Sequence, residues 1–157
     1  MTERELKISF LEYDSLEEMS GSDRSLALSA IEAIDGSYAP YSHFNVGAAV
    51  LLSDGTVVKG ANQENAAYPS GLCAERTAMF AAGAAHPDLD MCCIAVAARQ
   101  NGELCPEPAA PCGACRQVMA QYQTKAGHPL SIILVGAKKV QKFTRVDDLL
   151  PFIFDNI

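Results

Sequence analysis

The 157-residue sequence has no run of about 18 consecutive apolar residues, which is the length that a membrane-spanning helix needs. It begins with the charged stretch Met1-Thr2-Glu3-Arg4-Glu5, and the apolar core of a secretory signal does not follow. It also has no internal repeat and no interior linker. We therefore expect a cytoplasmic protein without a membrane partner, and the 49% content of hydrophobic residues predicts a folded core.

Basic residues are scarce in this chain. Lys and Arg number 12 against 19 acidic residues, which gives a net charge of −7. Binding to a nucleic-acid backbone needs clustered Lys and Arg, because these replace the counterions of the phosphates. The densest basic stretch, Lys138 to Arg145, is interpreted as the solvated face of a helix or loop. The composition thus favours a small-molecule substrate and disfavours nucleic acid as a partner.

Three of the six cysteines belong to two short motifs, Cys73-Ala74-Glu75 and Pro111-Cys112-Gly113-Ala114-Cys115. In a cytoplasmic protein such cysteines are better interpreted as metal ligands or core residues than as disulfides. No fourth Cys or His lies at ligand spacing, and each of the three histidines is next to a predicted loop. Three ligands leave one position of a tetrahedral zinc ion open, which is typical of catalytic rather than structural sites.

Both motifs coincide with predicted helix starts, where backbone dipoles lower the pKa of a thiol. Glu75 cannot readily bind the same ion while Cys73 does, so we expect it to transfer protons beside the open position. Arg76 follows directly and is expected to donate hydrogen bonds to a ligand sulfur, which withdraws excess negative charge. A Glu that is not a ligand, together with a Pro-Cys-x-x-Cys pair, is typical of zinc-dependent nucleobase deaminases.

A second group of polar residues, Asn62-Gln63-Glu64-Asn65, follows a predicted strand. Side chains 62 and 64 point to the same face of an extended chain. An amide and a carboxylate there would suit a polyol such as a ribose, although a turn at the end of the strand explains the pattern equally well. Phe44, just before another predicted strand, could stack on a planar ring or pack in the core.

The hydrophobic periodicity predicts the element order α-β-β-α-β-α-β. The predicted helices cover about 22–36, 72–84 and 113–125, and the predicted strands cover 46–52, 56–61, 91–98 and 132–135, the first two joined by Ser53-Asp54-Gly55. Alternation at Leu6, Ile8 and Phe10 indicates an edge strand, and a short helix is expected between Thr144 and Pro151. This order predicts a three-layer α/β/α domain with a mixed sheet of about five strands. Residues 1–20 are interpreted as an N-terminal extension and 21–157 as the domain proper.

At this point the sequence closely resembles the cytidine deaminase family, in its small, three-cysteine, homotetrameric class. The matching stretches are Tyr41 to Ala49, Asn62 to Tyr68, Cys73 to Ala78, Pro111 to Gln117 and Leu149 to Phe152. The resemblance implies one zinc ion per chain on Cys73, Cys112 and Cys115, with Glu75 as proton shuttle and Arg76 relieving thiolate charge. It implies a substrate site formed by Phe44, Asn62, Glu64, Tyr68 and Ala74. In that site Asn62 and Glu64 would bind the ribose 3′-hydroxyl, and Phe44 would stack near the base. Ala66, Tyr68 and an aromatic residue near Phe152 would reach the site of a neighbouring subunit in the tetramer.

The resemblance implies hydrolytic deamination of cytidine and 2′-deoxycytidine to uridine and 2′-deoxyuridine, with release of ammonia, as in pyrimidine salvage. Three alternatives to this function fit the sequence less well. A deaminase of a modified cytosine nucleoside such as blasticidin S is less consistent with the ribose-binding pair Asn62 and Glu64. A polynucleotide-editing deaminase is disfavoured by the net charge of −7. A non-catalytic zinc-stabilised binding module would have no use for Glu75.

Overall fold

A seven-stranded mixed sheet forms the centre of the part of the chain that the computed structural model describes, residues 1–19 and 21–155. Its strands are β1 (Leu11–Tyr13), β2 (Phe44–Leu52), β3 (Val57–Ala61), β4 (Met91–Gln100), β5 (Glu103–Leu104), β6 (Ser131–Val135) and β7 (Val140–Phe143). Their order across the sheet is β1-β7-β6-β4-β2-β3, and β5 pairs with β4. Strands β4 and β6 are parallel, whereas the other pairs are antiparallel. The mixed sheet is confirmed, with seven strands rather than about five.

Helices cover both faces of this sheet. They are α1 (Gly21–Ala33), α2 (Ala74–Ala85) and α3 (Gly113–Ala126), and short 3-10 turns lie at Leu16–Glu18, Ile34–Gly36, Tyr68–Ser70 and Val146–Asp148. On β4, Ile94 and Val96 belong to the core that the sheet shares with α2 and α3. Cys93 and Ala95 point the other way, into the core beneath α1. The predicted three-layer α/β/α arrangement is therefore confirmed. None of the helices in the described ranges is long and apolar enough to cross a membrane.

Two glycines allow these layers to approach closely. A β-carbon at Gly47 in β2 would lie 2.2 Å from the carbonyl oxygen of Ala30 in α1, and one at Gly60 in β3 would lie 2.4 Å from the amide nitrogen of Ala78 in α2. Real β-carbons do not come so near to backbone atoms, so only glycine fits at these two positions. The glycines thus hold α1 and α2 directly against the sheet.

The direction of the strands brings the starts of α2 and α3 to the same edge of the sheet. Strands β3 and β4 both run antiparallel to β2, so their carboxyl ends lie at the same edge. Helix α2 follows β3 along the chain, and α3 follows β4 and the short β5. Both helices therefore begin beside that edge, and residues far apart in sequence meet there.

Three local predictions differ from the structure, and all concern the margins of the sheet. The edge strand expected on Leu6, Ile8 and Phe10 lies instead at β1, while those three side chains are exposed outside any strand. The basic stretch expected on a helix or loop face includes β7 and the turn before it, because charged side chains at a sheet margin can reach solvent or pair with acids. The expected C-terminal helix is a single turn, Val146–Asp148.

The second predicted strand, 56–61, also differs in its surroundings. Apolar residues at nearly every position of this segment predict a strand covered on both faces, yet β3 is an outer strand whose side chains alternate between exposed and more buried positions. The neighbouring β2, which is also apolar at nearly every position, does have a continuously buried stretch. The proposed boundary at Ser20 lies outside the described residues.

Candidate active site

Three thiols converge where α2 and α3 begin. Cys73 is the N-cap residue of α2, Cys112 is the N-cap residue of α3, and Cys115 is buried in the first turn of α3. Their sulfur atoms all lie within 4.8 Å of one another, and those of Cys73 and Cys112 are 3.8 Å apart. Tetrahedral ligands with Zn–S distances of about 2.3 Å would have their sulfurs about 3.8 Å apart. The three cysteines are therefore positioned to bind one metal ion.

The charges around the thiols also fit a cation. The pKa of Cys73 is lowered to about 5, because the Cys115 thiol and the Arg76 guanidinium hydrogen-bond to its thiolate. The pKa of Cys115 is raised by that same bond with Cys73 and by burial. Without a bound metal, the surrounding protein groups thus favour the thiolate of Cys73 but disfavour a second thiolate at Cys115. A soft divalent cation such as Zn²⁺ would provide the charge that several neighbouring thiolates need.

Arg76 lies in the first turns of α2, next to this cluster. Its Nη2 is 3.7 Å from the sulfur of Cys73, within hydrogen-bonding range for sulfur. Its Nε is buried and has no hydrogen-bond partner among the described residues. The guanidinium therefore lies where its positive charge can offset the negative charge of a Cys73 thiolate.

Glu75 is buried in the first turn of α2, with only 5% of its surface exposed. Burial raises the pKa of its carboxyl, and the nearby negative charge of Cys73 acts in the same direction. The residue lines an inner cavity of about 270 Å³, which is also lined by Phe44, Asn62, Cys73, Ala74 and Cys112. One buried carboxyl and two of the three thiol-bearing residues therefore border the same cavity.

A wider groove of about 520 Å³ leads from this cavity to the surface. The two spaces share Ser42, Asn62, Glu64 and Cys73 as lining residues, and Arg76 and Tyr68 line the groove. Tyr68 is 78% exposed and packs edge-on against Tyr41, with ring centres 6.3 Å apart. The groove is larger, but Glu75 borders only the inner cavity. A ligand that contacts both Glu75 and the thiol cluster would therefore lie in the inner cavity.

Asn62 and Glu64 hold the segment that leads into β2. The side chain of Asn62 accepts the N–H of Val46 at 2.8 Å and donates to the carbonyl of Phe44 at 2.9 Å. Glu64 accepts hydrogen bonds from the hydroxyl and backbone N–H of Ser42 and from the N–H of Tyr41. These bonds lower the pKa of the Glu64 carboxyl, that from the Ser42 hydroxyl most of all. Each side chain keeps some hydrogen-bonding capacity for a ligand.

The structure brings the residues singled out in the sequence together around the two spaces. Those lining the inner cavity are Phe44, Asn62, Glu64, Cys73, Ala74, Glu75 and Cys112. Tyr68 and Arg76 line the groove, and Cys115 completes the thiol cluster. Sequence reasoning missed Ser42, which lines both spaces. Its position two residues before Phe44 was the available signal, because Ser readily hydrogen-bonds nearby backbone.

Comparison with known proteins agrees with this geometry. The family described as "Cytidine and deoxycytidylate deaminase zinc-binding region" matches residues 20–127, a range that includes all three cysteines and Glu75. A cytidine deaminase of Halalkalibacterium halodurans is 52% identical over 92 residues, which cover 59% of this chain and 65% of that relative. A cytidine deaminase of Sporosarcina psychrophila is 41% identical over 123 residues, covering 78% of this chain and 84% of the relative.

A solved structure leads to the same family. The crystal structure of cytidine deaminase from Burkholderia pseudomallei superposes with a TM-score of 0.71 at 41% sequence identity, and the match covers 85% of this chain and 100% of that one. The matched zinc-binding region and the thiol cluster agree on one zinc ion held by this chain. The fold, the metal site and the sequence similarity together establish that the chain belongs to the cytidine and deoxycytidylate deaminase family.

Proposed function

We propose that the protein catalyses the hydrolytic deamination of cytidine and 2′-deoxycytidine to uridine and 2′-deoxyuridine, with release of ammonia. The observation that carries this proposal is the buried carboxyl of Glu75 beside the thiol cluster, at the wall of a cavity also bordered by Phe44, Asn62 and Glu64. The names of the relatives support the same substrate class. When bound, zinc supplies the Lewis acidity that makes water a competent nucleophile near neutral pH.

Glu75 is proposed to move the protons of the reaction. Its carboxylate accepts a proton from the attacking water and delivers it to the ring nitrogen N3. It then takes a second proton from the hydroxyl group now bound to C4 and delivers it to the 4-amino group, so that C4 becomes a carbonyl as ammonia leaves. Burial raises the pKa of this carboxyl towards neutral pH, so it can both accept and release a proton more readily than an exposed Glu can.

The cavity walls are proposed to select a nucleoside. Phe44 stacks near the pyrimidine, and Asn62 and Glu64 bind the ribose 3′-hydroxyl with the hydrogen-bonding capacity that their backbone contacts leave free. Ala74 is the first residue of α2, where backbone N–H groups have no partner within the helix, so its backbone can contact the base. Tyr68 lines the groove outside the cavity and is proposed to contact the substrate there.

We also infer a homotetramer in which neighbouring chains complete each pocket. Large aromatic side chains near the groove and at the C-terminal end are exposed in a single chain, including Tyr68 at 78%, Phe152 at 85% and Phe154 at 67%. Exposed apolar surface of this kind marks protein contacts. Light scattering at micromolar concentration tests this: a fully active monomer would contradict it. We also propose a cytoplasmic location, because cysteines that hold a metal ion rather than form disulfides are typical of reducing compartments.

The function is tested by following the ultraviolet absorbance of cytidine with the purified protein, with and without a zinc chelator. Cytidine, 2′-deoxycytidine, deoxycytidylate and cytosine should be compared at equal concentration. We expect turnover of the two nucleosides, loss of turnover after chelation and recovery with added zinc. Preferred turnover of deoxycytidylate would instead indicate a nucleotide deaminase, and no turnover of any of the four would reject the proposal.

A further inference from the structure

The hydroxyl of Ser42 lies at the centre of a hydrogen-bond set that joins two walls of the cavity. It donates to Oε1 of Glu64 and accepts the backbone N–H of Phe44 at 3.1 Å. The N–H groups of Ser42 and Tyr41 donate to Oε2 of the same carboxylate at 3.3 and 2.8 Å. One small side chain therefore links the carboxylate proposed for the sugar to the aromatic residue proposed for the base.

The backbone around Ser42 needs such restraint. His43, the next residue, has a φ of 54°, in the left-handed region that non-glycine residues rarely adopt. A residue in that conformation persists only where surrounding contacts hold it. Here the N–H of His43 donates to the carbonyl of Ala39 at 3.1 Å. The residues on either side of His43 are held by the Ser42 hydroxyl, which accepts the N–H of Phe44 and donates to Glu64. Without the Ser42 hydroxyl, the segment Tyr41 to Phe44 would relax towards commoner conformations.

We propose that Ser42 is a positioning residue that holds the Glu64 carboxylate and the Phe44 ring in their nucleoside-binding orientation. The identity of the nucleoside rests on the proposed function, whereas the restraint itself rests only on the hydrogen bonds of the chain. Ser42 acts on groups that contact the sugar and the base in the ground state and in the transition state alike. Its loss should therefore raise KM and leave kcat nearly unchanged.

The kinetic test compares substitutions at Ser42 with a matched control. Ser42→Ala is expected to raise KM for cytidine roughly tenfold, the order of effect of one hydrogen bond to a charged group, and Ser42→Thr should restore it by keeping the hydroxyl. Ser37→Ala removes a hydroxyl that accepts from Asn45 at 2.7 Å outside both spaces, and it should leave KM unchanged. In a Glu64→Gln background the effect of Ser42→Ala should shrink, because the two residues act as a unit. Full additivity, or a fall in kcat at constant KM, would overturn the proposal.

A second measurement does not depend on the substrate. Amide hydrogen exchange should accelerate at Phe44 in Ser42→Ala, because its N–H loses the hydroxyl acceptor, and stay unchanged there in Ser37→Ala. Unchanged exchange at Phe44 in Ser42→Ala would reject the positioning role even if cytidine is turned over normally. Conversely, accelerated exchange in a protein that does not turn over cytidine would reject the proposed function and leave the restraint by Ser42 standing.

Discussion

Replacing Glu75 with glutamine should remove proton transfer in the cavity without changing the shape of the cavity. Glutamine has nearly the same shape as glutamate but cannot carry protons between water and a base. The variant Glu75→Gln should therefore lose turnover by roughly 10²–10⁴, the usual contribution of general acid–base catalysis. KM should change much less, because the residues proposed to contact the sugar are untouched.

The same substitution should not weaken the fold. Glu75 is only 5% exposed and lies close to the negatively charged sulfur of Cys73. Burying an ionised carboxylate without a matched cation is costly, and a neutral amide avoids that cost. We expect the free energy of unfolding of Glu75→Gln to equal or exceed that of the wild type. This result is expected of a proton-transfer residue whose burial lowers the stability of the folded protein.

The assay combines three measurements on one preparation. Cytidine turnover is followed by ultraviolet absorbance, zinc by elemental analysis, and unfolding by urea titration. Glu32→Gln is the matched control, since Glu32 lies in an exposed ion pair with Lys59 at 3.2 Å, and exposed pairs contribute little. Near-normal turnover in Glu75→Gln would refute the proton-transfer role. Loss of zinc in that variant would show that Glu75 supports the metal site instead.

Three further predictions concern the metal, the packing and the sugar. Cys112→Ala should abolish zinc binding in elemental analysis, whereas Cys92→Ala, outside the cluster, should retain one ion per chain. Gly60→Ala should lower the free energy of unfolding by about 1–3 kcal/mol in urea titration, because its β-carbon would lie 2.4 Å from the Ala78 nitrogen. Gly36→Ala, whose β-carbon would meet only Ala61 at 3.7 Å, is the control with little expected change. Free cytosine should be a very poor substrate beside cytidine, because ribose-binding groups would stay unpaired; equal kcat/KM for both would remove the sugar contacts from the proposal.

The metal cluster could be predicted from the sequence because its parts lie in short, local patterns. Cys73 and Cys112 each stand directly before a helix, and the sequence signals of those two helix starts are strong. The pairing of the two starts in space depends on strand direction, which element order already constrains. What the sequence lacked was the depth at which Glu75 lies, since burial depends on how both helices pack on the sheet.

The margins of the sheet were harder to predict for a physical reason. Strand β1 is three residues long and β7 four, and each carries one charged side chain, the exposed Glu12 in β1 and the partly buried Lys142 in β7. The two strands pair with each other at three positions, and of their seven residues only Val140 and Phe143 are buried. Hydrophobic periodicity, the main signal for a strand, is weak in segments this short.

The hydrogen bonds that Asn62 and Glu64 make within the chain bear on the selectivity proposed for the cavity. Each side chain is already hydrogen-bonded to the segment that carries Phe44, so each is oriented before any ligand arrives. A binding group that needs no reorganisation loses less conformational freedom when a ligand binds, and the affinity is correspondingly higher. The proposed sugar and base contacts should be coupled for the same reason, because Ser42 is hydrogen-bonded both to Glu64 and to the backbone of Phe44. Substitutions in this set should therefore affect recognition of the ribose and of the pyrimidine together.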